Sequence, residues 1–349
     1  MLGFLGLMLT LALLAMYAVQ LGYQDGLFVR QAIYMASGLV VMFFISRVHH
    51  QRLYRHSWMI FGLSTALILA AQFWGSQING ARSYIFGGIS VTALCPYLFI
   101  IAAAGLLSRV EKYEGYGKVV GKIILLGVLP LLLFVSIPSS ASLLLYAATF
   151  AFMLAISRYA RPWAAAYLAF VAAAFLLPLL LSERVQDRLL GFLLRQRDPN
   201  GAGYLYRQID EAVRSAGWNG HGFGSPMKTL PYIHSDHIFT YLIYSMGWTF
   251  GIIITLLILF FILQLTRMFK SVKDPYGKML ISGIGALLVI QFLWSMGMSL
   301  GFLPLSAVPF PFLSYGMDQM LVQLAAIGLI YSVYRRKDMI SLKGGIPNN

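Results

Sequence analysis

Long runs of apolar residues separated by short polar interruptions recur along the whole chain. A helix that crosses a bilayer needs about 20 mostly apolar residues. Segments of that kind fall at 2–22, 31–47, 55–74, 89–108, 121–137, 140–157, 162–181, 236–266, 279–298 and 316–334. The pattern therefore predicts an all-α polytopic membrane protein with ten transmembrane helices, organised as a single membrane domain over 1–349. Pro96, Pro130 and Pro178 fall inside the fourth, fifth and seventh segments. Proline is tolerated in membrane helices where neighbours satisfy the freed carbonyl, so all three segments are kept. Residues 1–22 lack a basic leading region and a small-residue cleavage site, and read as a first membrane helix rather than a signal peptide.

The connections are short except for one, residues 182–235. A loop of this length in a compact bundle is functional or disordered, and its patterning argues for order. Val185, Leu189, Phe192 and Leu193 share one side of a helix over 184–195, and Leu205, Ile209, Ala212 and Val213 do so over 204–216. Both are expected to lie in the outer interface of the bilayer. Gly217, Gly220, Gly222 and Gly224 then form a glycine-rich stretch suited to turns or close approach.

Composition agrees with the pattern. The chain is 59% hydrophobic and 11% charged, whereas a soluble domain carries about 25% charged residues. The formal net charge of +14 would suggest nucleic acid in a soluble protein, but its distribution points to orientation instead. With the N-terminus inside, the inner segments collect Arg47, Arg52, Arg55, Arg109, Lys112, Lys118, Lys122, Arg158, Arg161, Arg267, Lys270, Lys273, Lys278, Arg335, Arg336, Lys337 and Lys343. The short outer loops keep only Arg30 and Arg82. Both termini are expected in the cytoplasm, with no nucleic-acid partner. The single cysteine, Cys95, lies in an apolar segment and excludes a disulfide framework or a cysteine metal site.

The chemistry concentrates where the long loop meets the eighth segment. Asp236, flanked by His234, Ser235 and His237, precedes a run that must be helical in lipid. One reading makes Asp236 a helix cap. The other makes it a functional carboxylate, since ionisable groups at membrane depth default to function, and an ionised Asp236 could serve as general base toward a sugar hydroxyl. The spacing His234-x-Asp236-His237 matches no strong zinc motif; a Mg²⁺ or Mn²⁺ shared with a ligand diphosphate is the more plausible cation. The basic residues of the long loop, Arg207, Arg214 and Lys228 among them, fit either anionic lipid or a lipid-linked diphosphate, which guanidinium binds in a bidentate fork.

The segment Leu230-Pro231-x-x-His234-Ser235-Asp236-x-Ile238-Phe239 resembles the LPxxHTDFIF signature of the SEDS family (shape, elongation, division and sporulation proteins), which includes RodA, FtsW and SpoVE. Ser215-x-Gly217-x-x-Gly220-x-Gly222 resembles that family's glycine-rich loop, with Tyr206 and Gln208 at its aromatic-plus-glutamine helix. Gly301-Phe302-Leu303-Pro304 and Val308-Pro309-Phe310-Pro311-Phe312-Leu313-Ser314-Tyr315-Gly316 resemble its GLLP and VPLPFISYGG stretches, and Asn79-Gly80-Ala81-Arg82 its GAxRW loop.

The resemblance implies a peptidoglycan glycosyltransferase of the bacterial plasma membrane. Such an enzyme polymerises lipid II for elongation, division or sporulation, partnered with a single-span class B penicillin-binding transpeptidase. Asp236 maps onto the family's essential aspartate and would deprotonate the acceptor sugar while undecaprenyl diphosphate leaves. Arg82, Arg207, Arg214, Gly220, Gly222, Lys228, Pro231, His234, Ser235, Ser314 and Tyr315 make up the implied substrate-binding set. The chain also departs from the family. Its fourth-span QPSE-x-x-K element stands here as Ser90-Val91-Thr92-Ala93 with Pro96 near the lysine position, the glutamate pair after the signature is Tyr244-Ser245, and GGSS becomes Gly316-Met317-Asp318-Gln319. A flippase for lipid-linked precursors and a catalytically inactive scaffold remain as alternatives.

Overall fold

The computed structural model describes residues 1–22, 26–78, 81–85, 89–109, 116–137, 139–157, 160–181, 186, 191–193, 201, 203–227 and 230–338. Every expected apolar segment lies on a helix: α1 (Leu2–Gly22), α2 (Leu27–Arg47), α4 (Ser57–Trp74), α5 (Val91–Leu107), α6 (Tyr116–Ile123) continuing into α7 (Leu129–Ser136), α8 (Ser140–Ile156), α9 (Ala164–Leu181), α11 (Ile238–Ser271), α12 (Pro275–Ser299) and α13 (Met317–Arg335). Shorter helices also occur among the described residues, α3 (His50–Arg55) between the second and third segments and α10 (Tyr204–Ser215) in the long loop. Among the described residues, seven helical stretches are long and apolar enough to cross a membrane, while α5 and α8 are shorter apolar helices.

The departures from expectation have local causes. Helix α2 begins at Leu27, not residue 31; the Phe28 amide in its first turn donates to Gln20 Oε1 at 3.0 Å, and Arg30 is exposed. Helix α12 begins at Pro275, not residue 279; proline fits a first turn that needs no amide hydrogen bond. Between α4 and α5 the chain forms strands β1 (Ser76–Ile78), β2 (Ala81–Ile85) and β3 (Ile89–Ser90), paired antiparallel in that order, so the fold is not purely helical. Ile78 opposes Ala81, and Tyr84 pairs with both Ser76 and Ser90.

Prolines are accommodated as membrane helices require. Pro130 has no amide to give to the carbonyl of Leu126, and the Tyr146 hydroxyl of α8 donates to that carbonyl instead. The preceding turn, Ile124–Val128, widens into a π-helix. Pro96 sits inside α5, a helix whose N-cap Ser90 accepts a hydrogen bond from the Ala93 amide.

The chain packs into two compact units. The first contains residues 1–38, 166–261 and 288–323; the second contains 39–165, 262–287 and 324–349. In the second unit, Gly105 lets α5 lie against α4, since a Cβ there would fall 1.9 Å from the Ser57 hydroxyl. Phe99 packs edge-on against Phe61, Phe134 and Tyr146. A buried polar node closes the same unit. The Asp274 carboxylate accepts from the Gly277 amide (2.9 Å) and Gln51 Nε2 (2.9 Å), and pairs with His50 Nε2 at 3.1 Å. Asp274 thus caps α12 while tying it to α3, with three partners compensating a carboxylate that is only 3% exposed. In the first unit, Phe292 contacts Phe261, Phe310 and Phe312, and Phe261 stacks on Phe4 at 4.7 Å.

Candidate active site around Asp236

The turn before α11 is set by Tyr232, whose φ of 53° is in the left-handed region. That reversal turns its carbonyl back to accept from the amides of Ser235 (3.0 Å) and His237 (3.3 Å). The first helical hydrogen bond runs from Tyr241 N to the His237 carbonyl at 2.9 Å. By that bond His237 occupies the N-cap position, and Asp236 stands one residue outside the helix. Among the described residues nothing donates to its carboxylate, neither a helix amide nor a cation. The capping reading therefore has no hydrogen bond to support it.

Burial in apolar surroundings raises the Asp236 pKa from 3.8 to about 6. A helix N-terminus alone would lower it; desolvation of the charged form is the larger effect here. His237 is 5% exposed, and burial lowers its pKa to about 4, so at neutral pH it carries no charge. His234 is lowered for the same reason. The carboxylate thus ionises close to neutrality with uncharged imidazoles beside it. That is the state a general base needs.

The turn is clamped from behind by the Val308–Gly316 loop. Ser314 Oγ donates to the Ser235 carbonyl (2.7 Å) and accepts from the Phe310 amide (2.7 Å). The Tyr315 amide donates to the His234 carbonyl at 2.8 Å, and the Tyr315 ring meets the His234 ring edge-on at 5.7 Å. Phe310 stacks on Phe239 of α11. The loop itself is held by three buried glutamines from three helices: Gln31 Nε2 of α2 donates to the Ser314 carbonyl (3.3 Å), Gln291 Nε2 of α12 to the Pro309 carbonyl (3.1 Å), and Gln323 Oε1 of α13 accepts from the Phe312 amide (2.9 Å). This cradle was not anticipated from the sequence. A glutamine within an apolar segment was the available signal, since side-chain polarity at membrane depth needs a reason.

The glycine-rich stretch makes a close backbone approach of the kind expected of it, and the backbone it approaches is that of α11. Inside α11, Gly247 takes φ 83°, ψ 175° and breaks the helix. The break frees the carbonyls of Tyr244 and Ser245, which accept from the amides of His221 and Gly222 at 3.0 Å each. It also frees the amides of Trp248 and Thr249, which donate to the carbonyls of Gly217 (3.0 Å) and Trp218 (3.4 Å). Four hydrogen bonds thus splice the loop onto the broken helix. A Cβ on Gly220 would fall 2.3 Å from the Ser245 carbonyl oxygen, and one on Gly247 would fall 2.1 Å from that of Trp218, so glycine is required on both sides. The splice also occupies two of the amides that open the second half-helix, those of Trp248 and Thr249.

The remaining expected residues divide. Ser235, His234, Ser314 and Tyr315 converge on the Asp236 turn, and Pro231 is exposed beside it. Arg207 and Arg214 lie on the outer face of α10, where they pair within the helix with Glu211 (3.5 Å) and Asp210 (3.3 Å). The Tyr206 hydroxyl on the buried face of α10 accepts from the Leu305 amide, and Trp248 Nε1 donates to the Val213 carbonyl; α10 is thereby docked onto the first unit. Arg82 stands on β2 opposite Gln77, in the second unit; its side chain, like Lys228 and most of 184–195, lies outside the described residues. No group of three metal-ligating side chains occurs among the described residues.

The FtsW/RodA/SpoVE family model, described as cell cycle protein, matches residues 1–339. The chain belongs to this family. It is a multi-pass protein of the bacterial plasma membrane. The peptidoglycan glycosyltransferase MrdB of Escherichia coli K12 is 26% identical over 352 aligned residues, covering 96% of this chain and 94% of MrdB. A probable peptidoglycan glycosyltransferase FtsW of Idiomarina loihiensis is 29% identical over 331 residues, covering 90% and 80%.

Two solved structures share the fold. A chain from a structure titled "Structural coordination of polymerization and crosslinking by a peptidoglycan synthase complex" superposes with a TM-score of 0.81 at 20% identity, covering 97% of this chain and 98% of that one. Thermus thermophilus RodA, a rod shape determining protein, gives 0.70 at 19% identity, covering 97% of each.

Proposed function

We propose that this chain is a peptidoglycan glycosyltransferase that polymerises lipid II, with Asp236 as general base. The observation that carries the reading is the Asp236 carboxylate itself. It is half-buried, lacks a counter-ion among the described residues, and is raised to about 6 on a turn fixed by two backbone clamps. Family membership and relatives named as glycosyltransferases supply the reaction class.

In this reading the Asp236 carboxylate takes the proton of the acceptor GlcNAc hydroxyl. The freed oxygen forms a bond to the anomeric carbon of the donor MurNAc, and the bond from that carbon to undecaprenyl diphosphate breaks. Ten transmembrane helices with both termini cytoplasmic put Asp236 at the outer membrane face, where lipid-linked sugars are joined. Arg207 and Arg214 exchange their weak intrahelical acid partners for diphosphate oxygens, a stronger bidentate match. The chain offers no dedicated metal cage among its described residues. A Mg²⁺ or Mn²⁺ would arrive with the substrate diphosphate and be held by its oxygens. The partner is a single-span class B penicillin-binding transpeptidase that crosslinks the strands.

The test is incubation of the purified chain with lipid II, alone and with a candidate transpeptidase, followed by separation of the glycan products. Polymeric strands support the enzyme. Transfer of labelled lipid II across liposomes without strands would instead make the chain a flippase. Neither product, together with normal cell growth on an Asp236→Asn copy, would make it a scaffold.

A further inference from the structure

Gln31 is the one cradle glutamine whose hydrogen bond ends on the residue that touches the Asp236 turn. It is fully buried, at 0% exposure, on the first turn and a half of α2. Its Nε2 donates to the Ser314 carbonyl at 3.3 Å. From the same residue, Ser314 Oγ donates to the Ser235 carbonyl, and the next amide, Tyr315 N, donates to the His234 carbonyl. Two successive peptide groups before Asp236 are therefore fixed by the loop residue that Gln31 holds. Tyr34, one turn further along α2, packs its ring on Tyr315 at 5.7 Å, so α2 contacts the clamp at two points. The Gln31 Oε1 atom is buried and has no partner among the described residues. A carboxamide kept in an apolar helix with one half unsatisfied costs stability relative to an apolar residue. Its other half satisfies the buried Ser314 carbonyl, so the side chain is spent on the position of that one loop residue.

We propose that Gln31 is a positioning residue for the Asp236 base: it sets the register of the Ser314–Tyr315 clamp, and through it the place of the carboxylate. The proposal rests on the reading of Asp236 above. Displacing a base by about 1 Å can cost as much as a hundredfold in rate, and the loss falls on kcat because the residue does not touch substrate.

The experiment compares wild type, Gln31→Met, Gln31→Glu, Ser314→Ala, Gln31→Met/Ser314→Ala and Asp236→Asn in lipid II polymerisation, with melting temperatures of the same detergent preparations. Gln31→Met keeps the shape and removes the donor. It leaves the buried Ser314 carbonyl without its donor, so it should melt somewhat below wild type, lose about tenfold in kcat and keep KM within about twofold. Gln31→Glu, protonated in its apolar setting, regains an O–H donor to the Ser314 carbonyl and should restore most of kcat. Ser314→Ala breaks the next link, and the double variant should lose no more than the worse single variant, because both act through one loop. An unchanged kcat in Gln31→Met, a rise in KM alone, or additive losses would overturn the positioning role while Asp236→Asn is inactive. If Gln31→Met does not fold, Gln31→Glu and Ser314→Ala decide by the same measures. Strand formation by Asp236→Asn would remove the base itself, and this role with it.

Discussion

Varying pH perturbs Asp236 without changing any atom of the packing. With a pKa of about 6, the carboxyl is roughly 90% ionised at pH 7 and about 10% at pH 5, so a rate that needs the ionised base falls about tenfold between them. An aspartate at 3.8 would stay above roughly 90% ionised at pH 5 and give a flat profile over the same range. The assay is the initial rate of strand formation at lipid II well below KM, which reports the free enzyme, from pH 5 to 8 in one vesicle preparation. A flat profile, or a rate that rises on acidification, refutes the argument from burial.

The same shift has a stability consequence of known sign. The folded pKa lies above the unfolded one, so the native state holds the extra proton between pH 3.8 and about 6, and stability is lost as pH rises through that window. A shift of this size corresponds to at most ~3 kcal/mol, reduced to about 1–2 kcal/mol because the carboxylate still meets solvent. Asp236→Asn should therefore melt above wild type at pH 8 and level with it at pH 4. Equal melting at pH 8 would mean that the carboxylate is not desolvated.

Other consequences follow from the packing. Gly247→Ala and Gly220→Ala each place a methyl within 2.5 Å of a carbonyl oxygen across the splice, and at positive φ; a loss of about 3 kcal/mol or more, seen as a melting drop with failure of both halves of α11 to resist proteolysis, is expected. Asp274→Ala removes the α12 cap and takes the carboxylate away from the buried His50 and the half-buried Gln51, for an expected loss of about 2–4 kcal/mol by thermal unfolding. Glu211→Gln removes an exposed intrahelical pair and should change the melting free energy by less than ~0.5 kcal/mol, while freeing Arg207 to lower KM for lipid II; a higher KM would place Arg207 away from the diphosphate.

The helices were legible because the membrane allows so little else: a long apolar run must satisfy its own backbone, and helix is the local way to do it. The Asp236 turn was legible as a motif, but whether it capped a helix was not. That depended on which carbonyl took the first helical bond, and the positive φ of Tyr232 moves the cap to His237. The break at Gly247 was hidden because a glycine in an apolar run reads as tolerated helix. Its partner, the 217–222 loop, lies outside the helix and shows its purpose only when both backbones are in place. The pairing of β1 with β2 does have a signal in the sequence: Asn79-Gly80 between Ile78 and Ala81 is a hairpin dipeptide. Gln31, Gln291 and Gln323 stood out as amides in apolar helices, but convergence on one loop is a property of packing, and no spacing along the chain encodes it.

The central claim rests on one carboxylate, and one comparison tests it most directly. Wild type and Asp236→Asn, purified in parallel and both folded at pH 7.5, are given the same lipid II and the strands are counted. Removing a general base should lower strand formation by a factor of about 10²–10⁴ while lipid II still binds. Strands formed by the asparagine variant at the wild-type rate would contradict the assignment of Asp236 as the base.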